Sequence, residues 1–180
     1  MKHLLLAVLL MLALGATASA NIELELISGG FATVPIIGTP CSTDTCVTYS
    51  GTVGGWTINL TSGDSSGPTN PTMTLTSFDA TGAPGAAPLE LLLSDSFSVA
   101  SSAWTLQGTG TLISGAGTAA FSAYLDNTNT YLTTSPADLI GTLGPFSGGY
   151  NQSGSYSTSG VPLYTLTEAV QLTAASGSTV

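Results

Sequence analysis

From residue 21 onward the chain is written in a period of two. Ile22, Leu24 and Leu26 alternate with Glu23 and Glu25. Trp56, Ile58 and Leu60 alternate with Thr57 and Asn59, and Phe121, Ala123 and Leu125 alternate with Ser122 and Tyr124. Side chains two apart share one face of a strand, whereas a helix repeats its apolar residues at three and four. No segment after residue 20 carries the helical spacing, and clusters of Gly, Pro, Asn and Ser interrupt the runs at short intervals. The pattern leaves the all-β class. It predicts about nine or ten short strands in an antiparallel β-sandwich of Ig-like or jelly-roll type.

Local signals refine this expectation. Gly54-Gly55 marks a hairpin between residues 47–53 and 56–61, and Pro35 interrupts a strand over 31–37, because proline cannot donate to a ladder. Residues 89–93 are apolar except for Glu90, as expected of a central strand covered on both faces. Residues 62–71 and 147–160 read as polar loops, and 81–88 as a Gly/Ala/Pro linker that packs against nothing. The last strand, from Leu163 to Thr173, lacks the lysines that discourage strand addition at a sheet edge.

Charge is distributed unevenly. Lys2 is the single Lys or Arg, His3 is the single His, and all ten carboxylates lie beyond residue 20. The basic start, the apolar run from Leu4 to Leu14 and the Ala18-Ser19-Ala20 end of residues 1–20 form a secretory signal peptide, too short for a membrane-spanning helix. Cleavage after Ala20 leaves residues 21–180 as one β-sandwich domain without a basic side chain. Such a chain repels phosphate, so neither nucleic acid nor an anionic membrane is an expected partner. It also has no His or Lys to serve as the base of a Ser-His-Asp-type nucleophile, and no side chain for a cationic oxyanion clamp or a Schiff base.

What remains is oxygen, sulfur and aromatic chemistry. Cys41 and Cys46 are the two cysteines, and in an exported chain they predict a disulfide closing a short loop. Asp126, Asn127 and Asn129 supply oxygen ligands of the kind calcium accepts, although the same residues are those of an Asx-rich turn. Glu23 and Glu25 share one strand face. They are either the carboxylate pair a glycosidase needs or the solvated side of an amphipathic strand. Trp56 and Trp104 fall in phase with core residues. Tyr124, in phase with Ser122, and Tyr150 and Tyr156, in the 147–160 loop, are the aromatics left to stack on a sugar. Asn59 and Asn151 begin glycosylation-type tripeptides.

The second half resembles a known family. Residues 117–126 (Gly-Thr-Ala-Ala-Phe-Ser-Ala-Tyr-Leu-Asp), 139–146 (Leu-Ile-Gly-Thr-Leu-Gly-Pro-Phe) and 163–168 (Leu-Tyr-Thr-Leu-Thr-Glu) are similar to the β-rich ectodomains of PEP-CTERM proteins. Those are exported bacterial proteins handled by exosortase and tied to extracellular polysaccharide and biofilm. They end in Pro-Glu-Pro, an apolar helix and an Arg cluster. This chain reads Ser178-Thr179-Val180 at that point, so the expectation is either a lost sorting tail or an unanchored product. The resemblance implies an exported cell-surface or extracellular-matrix component and carries no catalytic residue. Together these readings predict a secreted, non-enzymatic sandwich that associates with itself by strand addition at 163–173. A polysaccharide-binding module is the alternative.

Overall fold

Period-two alternation produces strands wherever one face can be buried. A computed structural model describes residues 21–41, 44–66, 71–112, 116–160 and 162–174. In it the strands are β1 (Glu23–Ser28), β2 (Phe31–Ala32), β3 (Ile36–Ile37), β4 (Thr39–Cys41), β5 (Asp44–Val53), β6 (Trp56–Ser65), β7 (Met73–Gly82), β8 (Leu89–Phe97), β9 (Ala103–Thr111), β10 (Ala116–Asp126), β11 (Leu139–Phe146), β12 (Gly149–Ser157) and β13 (Tyr164–Ala174). Ten of them have six residues or more, and every pairing is antiparallel. The expected all-β sandwich is present.

One layer is a sheet in the order β11-β10-β13-β8-β1-β2, with β3 also on β1. The other layer comes in two pieces, β4-β5-β6-β7 and β9-β12. The first piece lies over β1 and β8, and the second over β10 and β11. Between the layers Leu24, Leu26, Leu91, Leu93, Phe97 and Leu166 meet Val47, Trp56, Ile58 and Leu60. Each fully buried leucine contributes about 2 kcal/mol of transfer free energy, which makes this seam the main source of stability.

The other face of the large sheet is polar yet covered. Ser94 Oγ lies 3.0 Å from Thr167 Oγ1, and Thr165 Oγ1 donates to Asn129 Oδ1 at 3.0 Å. The segment after β10 therefore closes over this face, and the buried hydroxyls are paired as burial requires. This accounts for a β8 buried on both sides. Its inward residues, Asp95 among them, pack in the core, and on the other face Ser94 bonds across the sheet to Thr167 and to the Leu166 carbonyl.

Several expectations are corrected. Residues 149–157 are not a loop but β12, paired with β9 from Gly149↔Thr111 to Ser157↔Ala103. Serine and glycine are tolerated there because β12 is an outer strand with mostly exposed side chains. Strand β6 continues to Ser65, well into the expected polar loop. The expected 81–88 linker begins as the end of β7, which runs to Gly82, and its remainder does pack: the Ala87 carbonyl accepts from Trp56 Nε1 at 2.7 Å and from Ser28 Oγ at 3.1 Å. The last strand is no sheet edge, because β13 lies between β10 and β8 with partners along both sides. Its alternation of Tyr164, Leu166, Val170 and Leu172 makes it a floor strand, so strand addition at 163–173 is ruled out. The expected signal peptide, residues 1–20, lies outside the described residues. Among the described residues no helix is long and apolar enough to cross a membrane.

Candidate functional site

Among the described residues, the gap between the two pieces of the second layer forms a concavity. β7 ends one piece and β9 ends the other, and the two are not hydrogen-bonded to each other. Between them runs a groove of about 1000 Å³, at the upper end of the range for ligand pockets. Its floor is the inward face of β13, with Glu168, Val170 and Leu172, together with Phe121 of β10. Its walls are β7, through Met73, Leu75 and Phe78, and β9, through Leu106, Gly108 and Gly110.

Gly108 lets the β9 wall approach the floor, and Gly110 leaves room for a ring of the neighbouring strand β12. A methyl group at Gly108 would lie 3.1 Å from the Phe121 ring, and one at Gly110 would lie 2.5 Å from Tyr150 Oη. Aromatic rings thus occupy the space that side chains at these strand positions would take. Phe121, Phe146 and Tyr150 form a cluster at this end of the groove. Phe146 and Tyr150 are stacked at 4.8 Å and 10°, and Phe121 sits 5.5 Å from Tyr150.

The groove contains no nitrogen base. Its carboxylates are Asp79, exposed on β7, and Glu168 on the floor. Glu168 occupies the apolar phase of β13 between Leu166 and Val170, and burial pushes its carboxyl up to about 7. Burial likewise raises the Tyr150 phenol. A carboxyl of this kind changes charge near neutral pH without any cationic partner.

The residues singled out from the sequence are not gathered at one place. Tyr150 lines the groove. Tyr156 is engaged between β12 and β11, where its hydroxyl donates to the Thr142 carbonyl at 2.7 Å and its ring lies over Gly141. Tyr124 is half-buried on the face of β10 opposite Phe121, Ala123 and Leu125, away from the groove. Asp126 accepts from the Thr128 amide and from Thr128 Oγ1. Burial acts to raise its carboxyl, but the donors of Thr128 and Thr130 outweigh that and hold it below the usual range. Asn129 receives its bond from Thr165, and Asn127 is exposed. Asp126 and Asn129 thus face different partners, in the arrangement of an Asx turn.

Glu23 and Glu25 also look to different neighbours. The Glu23 carboxyl is raised by burial and by nearby Asp95, whereas Glu25 acts on Glu90, which burial also raises. Cys41 and Cys46 form the expected disulfide, with Cα atoms 5.8 Å apart, joining β4 to β5. These sulfurs and Asp64 form a cluster of metal-type ligand atoms, but sulfurs bonded to each other offer no thiolate.

Sequence reasoning missed the groove and Glu168. The signal was present, since Tyr164, Leu166, Glu168, Val170 and Leu172 share one phase. A lone carboxylate on the apolar phase of a strand marks a place where the core is open or polar. The chain matches no protein-family model, no curated protein and no solved structure.

Proposed function

We propose that the chain is an exported, non-enzymatic component of the cell surface or extracellular matrix that works by docking another macromolecule in the β7–β9 groove. The observation that carries this reading is the chemistry of the groove. A large, mostly apolar cleft contains no nitrogen base, no cation and no thiolate, only two carboxylates among apolar, hydroxyl, amide and aromatic groups. Such a lining suits holding a partner, and Glu168, raised by burial, is its one group in the range of a general base. Fractionation of the producing cells tests the role. The protein is expected in the surface or matrix fraction with residues 1–20 removed, and recovery in the cytosol with residues 1–20 retained would overturn it.

A second reading is a polysaccharide-binding module, favoured by the Phe121, Phe146 and Tyr150 cluster at one end of the same groove. Aromatic faces are suited to stacking on apolar sugar faces. On this reading a glycan array gives a signal that Tyr150→Ala removes and Tyr124→Ala, on the opposite face, leaves unchanged.

A further inference from the structure

We infer that the β7–β9 groove is a strand-acceptor site for an extended segment of a different polypeptide. The segment pairs its backbone with β7 on one side and β9 on the other, and lays alternate apolar side chains on Val170 and Leu172. This deepens the docking role proposed above and rests on it.

Three observations fix the occupant. The first is the pair of walls. β7 has 10 residues and β9 has 9, each pairs with a neighbour on one side only, and among the described residues these are the two sheet edges that line one cavity. A free edge presents a row of unpaired amide and carbonyl groups, which an added strand satisfies. Two facing edges satisfy both sides of the same added strand, because successive residues of a strand direct their backbone groups to opposite sides. Among the other edges, β2, β3 and β4 have two or three residues each, and β11 and β12, with 8 and 9 residues, are edges that do not form the walls of this groove.

The second observation is the floor. β9 packs over β10, and β6 over β8, so no strand of the second layer lies squarely over the floor strand β13 between them; of its inward residues Glu168 and Leu172 are half-buried and Val170 is buried. Its inward residues alternate at the strand period, so an entering strand with apolar residues at every second position matches them. About nine residues in strand conformation extend roughly 30 Å, which is the length of β7 and β9 themselves.

The third observation is charge. Residues 21–180 carry ten carboxylates and no Lys, Arg or His, and Asp79 and Glu168 lie at the groove. A strand with basic residues is complementary to this field, and a second copy of the chain can bring only more carboxylates. The occupant is therefore a partner chain, with apolar residues on one face and hydroxyl and basic residues on the other.

The test uses residues 21–180 and a fluorescent peptide of about nine residues, valine alternating with threonine and lysine at each end, with anisotropy as the readout. Saturable binding is expected, together with loss of binding when the same residues are scrambled. Two further peptides carry N-methyl groups at the even or at the odd positions, removing the donors of one edge each. Loss of about tenfold or more with both peptides supports insertion between two edges. Loss with only one shows docking at a single edge, and loss with neither shows an apolar cleft that reads side chains alone. Either result overturns the inference, as does failure of the parent peptide to bind. Sedimentation of the protein by itself provides the last arm. A dimer that the peptide dissociates makes a second copy the occupant and overturns the partner assignment. None of these failures bears on the fractionation result, so loss of the strand site and loss of the surface role are distinguishable.

Discussion

Replacing Glu168 by glutamine removes one of two carboxyls, the other being Asp95 of β8, that stand on the apolar phase of a core strand, and the effect on stability can be worked out with its sign. Burial raises this carboxyl from its ordinary 4.5 to about 7, so the folded chain holds the proton more tightly than the unfolded chain. Below about pH 4.5 both states are protonated, and folding incurs no ionisation penalty. Between that pH and about 7 the unfolded chain ionises first, and stability falls as pH rises. Above about 7 both states are ionised and the loss is complete. At about 1.4 kcal/mol per tenfold change in proton affinity, the full loss is about 3 kcal/mol. The groove admits solvent to this side chain, and screening lowers the expected value to about 1–3 kcal/mol. Glu23, Glu90 and Asp95 are raised by burial as well and act in the same direction, whereas Asp126 is lowered and weakens the fold only in stronger acid. Urea unfolding at about pH 5 and pH 8 is the assay, with the slope held constant as a check on the unfolded state. The natural chain is expected to be more stable at the lower pH, and Glu168→Gln to lose most of that difference by gaining stability at the higher one. Parallel pH profiles for the two proteins, or a natural chain that is firmer at the higher pH, would refute the reasoning.

Other consequences are more local. Leu93 is fully buried at the seam of the two layers, and Leu93→Ala should cost about 3 kcal/mol in thermal or chemical unfolding. Serine at both Cys41 and Cys46 should cost about 2 kcal/mol, the small value expected of a loop with a sequence separation of 5. A methyl group at Gly141 would lie 2.3 Å from the Tyr156 ring, so Gly141→Ala should destabilise by about 1–3 kcal/mol, with the melt of Tyr156→Ala, Gly141→Ala recovering part of the loss. Because all charge beyond residue 20 is carboxylate, acidification toward about pH 4 should remove repulsion and promote association. Light scattering that stays flat down to that pH would count against this.

The fold was legible in the sequence to the extent that alternation reported burial. Ile22, Leu24 and Leu26 are all fully buried, and the break at Pro35 separates β2 from β3 as read. Composition misled where a strand is exposed. β12 reads as a loop because Ser153, Gly154 and Ser155 have no apolar phase, yet backbone pairing with β9, with Tyr150 on Phe146 and Tyr156 on the Thr142 carbonyl, holds it in place. Position within a sheet was not legible at all. Tyr164 and Leu172 show that β13 buries a face but not how many neighbours flank it, since pairing on either side leaves the same alternation. The groove belongs to that second class. It arises from strands that fail to pair, and no local pattern in β7 or β9 records the missing neighbour. Glu168 and Asp95 were the exceptions, carboxylates whose phase disagreed with their chemistry.

Amide hydrogen exchange along β7 and β9, measured by NMR with and without the alternating peptide, tests the central claim most directly. Without peptide, every second amide on each strand should exchange rapidly, because those donors face the groove, while the amides of β13 stay protected on both sides. With peptide, the rapid set on both strands should become protected together. Full protection of both strands in the free protein, or protection that does not change when the peptide is added, would contradict a groove that is open to a strand.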